Sequence, residues 1–214
     1  MSLAESSATG ATPIGAEYIF RAQLDGITPL LMSHPRGMEK EEVTPGPKSR
    51  GAKETISKED EAAGRLYVDS TGFLYVPTMA VYGAITEAAK LFQDPDYKRR
   101  TLAGTISAAL FLPDQEDFIL TREGDPISTY EIDTRRAVNR TTRGAILVSR
   151  PKILLPWTLA VEFVVDADLL GPDLLASVLA TAGKRIGILS FRPEKRGPFG
   201  RFAVTNYGVV SIDG

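Results

Sequence analysis

Gly183-Lys184-Arg185-Ile186-Gly187-Ile188-Leu189-Ser190-Phe191-Arg192-Pro193-Glu194-Lys195-Arg196-Gly197-Pro198-Phe199-Gly200-Arg201-Phe202 begins as the end of a helix, crosses a loop and enters a strand. Pro193 and Pro198 cannot continue a helix, and Gly187, Gly197 and Gly200 take backbone angles that other residues avoid. Between the glycines lie Arg192, Lys195, Arg196 and Arg201, interleaved with Phe191 and Phe199. Amides without side chains, cationic groups and aromatic rings are what a protein needs to hold a phosphate backbone and stack on unpaired bases. The plainer reading is a solvated loop whose phenylalanines fold back onto the core.

Working outward, Gly171-Pro172-Asp173 opens the helix that leads into this loop, with proline in its first turn. Leu174, Leu175, Val178, Leu179, Ala182 and Ile186 supply its core side. Before it, Trp157, Leu159, Val161, Phe163 and Val165 alternate with smaller or polar residues, the clearest strand in the chain. After the loop, Phe202 to Val210 reads as a closing strand. Glu17 to Asp25 alternates in the same way, with Tyr18, Phe20, Ala22 and Leu24 on one side. Arg65–Val68 and Phe73–Pro77 flank Asp69-Ser70-Thr71-Gly72 as a hairpin. Thr78 then caps a helix running from Met79 to about Phe92, with Gly83 marking a close approach to a sheet. Leu102 to Leu112 is an apolar stretch stopped by Pro113, Phe118 to Thr121 a short strand, Thr129 to Arg140 a strand leading away from the core, and Ala145 to Ser149 a return to it.

Residues 33–64 lose periodicity and mix Lys and Glu, which reads as a long mobile insertion. Residues 1–16 read as a flexible tail without the basic start and hydrophobic core of a secretory signal, and 17–214 as a single domain. Stripped of hairpin and insertion, the order is strand, helix, strands, strand, helix, strand. That is an α+β chain with a ferredoxin-like (split β-α-β) core.

The chain has 214 residues, 43% hydrophobic and 24% charged, with no cysteine and a net charge of -2. This excludes disulfides, thiolate metal sites and a cysteine nucleophile, and fits a reducing compartment, with the cytoplasm as the expected location. No apolar run has the length of a membrane span. The charge is segregated: between Thr134 and Lys152 lie Arg135, Arg136, Arg140, Arg143, Arg150 and Lys152 without one acid, and Lys184 to Arg201 carries six bases against Glu194. A local positive field of this kind matters more to a polyanion than net charge. It could also be a solvated face balanced by acids of the insertion.

The strand–helix passage Val76-Pro77-Thr78-Met79 with Gly83, the element order, and the glycine-rich basic loop resemble the RAMP superfamily of RNA-binding CRISPR proteins, and among them the backbone subunit. The resemblance covers roughly Glu17 to Tyr207. It implies a non-enzymatic protein that binds single-stranded RNA or DNA, as a homo-oligomer or part of a multi-subunit ribonucleoprotein. The residues expected on the nucleic acid are Arg135, Arg136, Arg140, Arg143, Lys184, Arg192, Lys195, Arg196 and Arg201, with Phe191 and Phe199, and further Tyr130 and Tyr82, as stacking candidates. No cofactor and no metal are expected: Asp114, Glu116 and Asp117 have no histidine near them, and phosphate-binding and nucleophile-elbow motifs do not occur. Two other readings stand beside this one. One is an assembly protein, such as a phage component, whose 33–64 arm wraps a neighbour. The other is a ribonuclease using His34, the one histidine.

Overall fold

Tyr18, Phe20, Ala22 and Leu24 are buried along one side of an extended segment, as their spacing of two requires. In the computed structural model, which describes residues 16–35, 56–97, 99–112, 117–138 and 144–212, this segment is the centre of the main sheet. The elements in chain order are β1 (Glu17–Gly26), β2 (Leu30–Leu31), α1 (Lys58–Ala63), β3 (Tyr75–Val76), α2 (Thr78–Ala89), α3 (Ala103–Ala109), β4 (Leu110–Phe111), β5 (Phe118–Ile119), β6 (Thr121–Arg122) and β7 (Asp125–Pro126). They continue with β8 (Glu131–Val138), β9 (Ala145–Ile153), β10 (Thr158–Asp166), α4 (Pro172–Thr181), a π-helical turn Ala182–Ile186, a 3-10 turn Pro193–Lys195 and β11 (Phe202–Ile212). The architecture is α+β.

β1 pairs antiparallel with β10 on one side and with β11 on the other. β4 and β6 add to the far edge of β10, and β7 pairs with β6. The inward residues of β1 and β10 (Leu159, Val161, Phe163 and Val165) form one contiguous core with Val81, Ile85 and Ala88 of α2 and Leu175, Val178 and Leu179 of α4. Trp157, Phe20, Phe163 and Phe202 are its largest fully buried side chains; burying each such ring contributes about 2–3 kcal/mol. Trp157 also satisfies its indole N–H on the Thr28 carbonyl at 2.9 Å.

The opposite side of the sheet is uncovered by the described elements. There Arg21 pairs with Glu162 at 2.6 Å. Val210, Ile19, Val164 and Phe111 are direct cross-strand neighbours, an apolar row across four strands. A second sheet, β2–β9–β8, stands beside the first, with Leu30 opposite Ile153 and Glu131 opposite Lys152.

Four local expectations change. The 65–77 hairpin is short, with Val68 opposite Leu74, Asp69 N–H donating to the Phe73 carbonyl at 3.0 Å and Tyr75 N–H to the Tyr67 carbonyl at 3.1 Å, and β3 also pairs with β5. Asp69 explains the tight turn: its carboxylate accepts from the N–H groups of Thr71 and Phe73, both at 2.9 Å. The second helix starts at Thr78 itself, with Pro77 as its cap residue, and Thr78 is buried in the first turn. Within 33–64, Lys58–Ala63 is helical; Ser57 caps it by accepting from the Asp60 N–H at 3.0 Å. Residues 36–55 of that interval, and 1–15 of the tail, lie outside the described residues. Leu102 to Leu112 divides into helix α3 and strand β4. No described helix is long and apolar enough to cross a membrane.

Candidate nucleic-acid interface

The glycine-rich loop is held by backbone hydrogen bonds at each end. Ile188 N–H donates to the Gly200 carbonyl, Gly200 N–H to Pro29 and Ser190 N–H to Leu31, each at 2.9 Å. Since Leu31 is opposite Lys152 in β9, these bonds tie the loop through β2 to the β8–β9 ribbon. The glycines are structural necessities. A Cβ on Gly197 would lie 1.7 Å from the Phe191 carbonyl oxygen; Gly200 has φ of 72° and its Cβ would meet the Ile188 carbonyl oxygen at 2.1 Å. Leu189, Phe191 and Arg196 also adopt left-handed backbone, three of the four non-glycine residues that do so among the described residues. Strain of this kind, concentrated in one loop, is characteristic of functional segments.

The two basic segments meet. The Arg135 guanidinium of β8 lies over the Phe199 ring, 4.9 Å from its centroid, within cation–π range. Arg135 is also held by Asp133 at 2.5 Å, a pairing that raises its already high pKa. Arg136 follows directly on an eight-residue strand, so it projects from the other side of the ribbon. The two arginines therefore do not form one line of charge. Arg140 and Arg143 lie outside the described residues.

Within the loop, Arg192 donates to the Leu189 carbonyl at 2.9 Å and pairs with Glu194 at 2.7 Å. Lys195 pairs with the other carboxylate oxygen at 2.5 Å. Lys195, then Arg192, hold the Glu194 carboxyl below the usual glutamate range despite partial burial. Arg201 donates to the Lys184 carbonyl at 2.9 Å. Lys184 and Arg196 are exposed and have no ion-pair partner among the described residues. Phe199 is only 5% exposed, with Arg135 over its ring and Phe191 beside it; it is a packing residue and not an open surface for a base. Phe191, at 37%, remains accessible with its ring 6.1 Å from Phe199. Tyr82 and Tyr130 pack half-buried against the core.

A cleft of about 480 Å³ opens between the first half of α2 and the loop, lined by Ser33, Tyr67, Met79, Gly83, Arg192 and Lys195. Met79 and Ala80 of the first turn of α2 line it, and the N-terminus of that helix has no side-chain cap. His34 stands beside it with its ring 4.7 Å from that of Tyr67. Among the described residues no three His, Asp or Glu side chains are placed to hold a metal; Asp114 and Glu116 lie outside them.

Sequence reasoning passed over one group. Arg65 is 8% exposed, pairs with Glu61 of α1 at 3.3 Å and donates to Ser33 at 3.4 Å. Glu61 also accepts from the Ser149 N–H at 2.9 Å. Arg150, opposite Asp133 in the β8–β9 register, joins this group. Burial, and then the neighbouring Arg65, push its pKa below the usual arginine range. An S-x-x-D cap signal at Ser57 was available for α1, but the convergence of Arg65 with Arg150 depends on pairing that no local pattern carries.

No family model matches the chain, and no curated protein matches its sequence. Among solved structures the chain is similar to one from the cryo-EM structure of the Type III-B Cmr-beta bound to cognate target RNA, with a TM-score of 0.52 at 10% identity. The match covers 91% of this chain and 61% of that one. The likeness is one of fold, and this chain spans less than two thirds of that neighbour's length.

Proposed function

We propose that the protein is a non-enzymatic, RAMP-like binder of single-stranded nucleic acid, RNA in preference to DNA, that works as one subunit of a larger ribonucleoprotein. The observation that carries the reading is Arg135 seated on Phe199, which joins the basic ribbon to the glycine-rich loop. The likeness in fold to a chain from an RNA-bound Cmr assembly supports it. So does the antiparallel order β11–β1–β10–β4, which we read as a split β-α-β, ferredoxin-like sheet. Lys184, Arg192, Lys195, Arg196 and Arg201 then offer charge along the loop, Arg135 and Arg136 from the two sides of the ribbon, and Phe191 an exposed ring. Cations of this kind supply affinity without sequence preference.

The test is anisotropy with a labelled single-stranded RNA. An Arg135→Ala, Arg136→Ala, Arg140→Ala variant keeps the wild-type circular dichroism but binds at least about ten-fold more weakly, and its salt slope falls by roughly one for each phosphate no longer neutralised. Equal affinity would remove the reading. His34→Ala leaves a labelled hairpin RNA as intact as the wild type does. If only the wild type cleaves it, the protein is a ribonuclease. The apolar row Val210–Ile19–Val164–Phe111 favours subunit association as well, and Ile19→Lys would then lower the sedimentation coefficient of the assembly.

A further inference from the structure

At the root of the ribbon three guanidinium groups share two carboxylates. Asp133 is engaged by Arg135. Glu61 gives one oxygen to Arg65 and the other to the Ser149 amide. Arg150 is left over: its side chain makes no hydrogen bond or ion pair among the described residues, and its Nε is buried without an acceptor. Arg65 Nε, on a side chain about nine-tenths buried, is likewise without an acceptor. Glu61 joins them: it pairs with Arg65 and accepts from the amide of Ser149, the residue before Arg150.

An arginine does not escape burial by releasing its proton, as a lysine can. A recessed cation without a hydrogen-bonded partner is therefore a standing cost that a chain removes by pairing, by apolar replacement or by supplying an anion from outside. The Arg150 guanidinium keeps its whole planar fork of N–H groups, a geometry that matches two phosphate oxygens, while Arg65, which already donates to Ser33 and Glu61, adds charge beside it.

From this surplus we infer that Arg150 and Arg65, with Arg135 at their margin, form a recessed receptor for one phosphate group. If the nucleic-acid reading above holds, the occupant is a backbone phosphodiester at the place where the strand passes from the loop to the ribbon. The site differs from the exposed cations of the loop because its charge is present at a cost to the unliganded fold.

That difference gives the test its sign. Thermal unfolding of the full chain is followed in sodium chloride and in inorganic phosphate at matched ionic strength, for the wild type, Arg150→Met and Arg150→Lys. Phosphate raises the wild-type midpoint by a few degrees, Arg150→Met abolishes that rise, and Arg150→Met without phosphate melts at or above the wild type. In parallel, Arg150→Met binds a labelled oligouridylate RNA at least about five-fold more weakly, with a salt slope smaller by roughly one. Arg150→Lys, which keeps the charge and loses the fork, falls between. A wild type unmoved by phosphate, with Arg150→Met destabilised and its RNA affinity unchanged, makes Arg150 a structural residue and overturns the inference. A wild type that phosphate stabilises through Arg150 but that ignores RNA keeps the receptor and removes the nucleic-acid reading; RNA binding untouched by Arg150→Met does the reverse.

Discussion

Gly200 is the residue on which the loop turns. Its left-handed backbone and the Ile188 carbonyl oxygen 2.1 Å from any Cβ leave no room for a side chain. Gly200→Ala therefore costs about 2–3 kcal/mol, read as a lowered urea midpoint with unchanged slope. Glu194 sets a second residue-scale expectation. Its folded pKa is depressed, so its pairing stabilises the protein above the ordinary glutamate range and is lost as the pH falls through the folded value. Across the acid range, from neutrality down through that folded value, the wild type should lose more of its melting temperature than Glu194→Gln. At neutral pH Glu194→Gln should bind RNA more tightly, because Arg192 and Lys195 are released from their carboxylate. Glycines and cations of this loop could be named from spacing alone. Whether Phe199 faced outward or inward could not, since its place is decided by Arg135, a residue from a different strand.

At the scale of elements, the half-buried strands β1 and β10 were the most readable parts, because alternation is strict where one side meets a core and the other does not. The β8–β9 ribbon was harder. Arg135 and Arg136 are both exposed and Leu147 is 70% exposed, so no buried side imposes a period on the ribbon near its tip. α1 escaped notice because six residues give too few turns to show a stripe, although Ser57 announced its start. Its importance lies in Glu61, which reaches both Arg65 and the Ser149 amide. Ser57→Ala should cost about 1 kcal/mol in a denaturant titration. β3 shows a different limit: its upstream partner was legible, and Tyr75 does donate to Tyr67, but its second partner, β5, lies far along the chain where no local pattern reaches.

For the molecule as a whole, the contiguous core predicts concerted unfolding. Trp157, the one tryptophan, is packed against Gly26 so closely that a Cβ there would fall 2.3 Å from the indole. It joins the β1 turn to β10. Its fluorescence should shift to the red at the same urea concentration at which far-ultraviolet ellipticity is lost; separated midpoints would show that the β2–β9–β8 sheet melts by itself. Element order revealed the main sheet, whereas the second sheet depends on β2, two residues long and invisible to any periodic reading.

One further property belongs to the rim of the larger sheet. From Phe202 to Ile212 no side chain is ionised, and β11 stands at the end of the strand order. It lacks the lysines and prolines that usually discourage annealing along such a border, and its one irregularity, opposite Gln23 and Leu24, leaves the stretch beyond Asn206 regular. Kept apart from any companions, the polypeptide offers a template on which further extended chains can grow. Prolonged storage at high concentration should then yield ordered, thioflavin-positive deposits, and a lone Val209→Lys should delay their appearance.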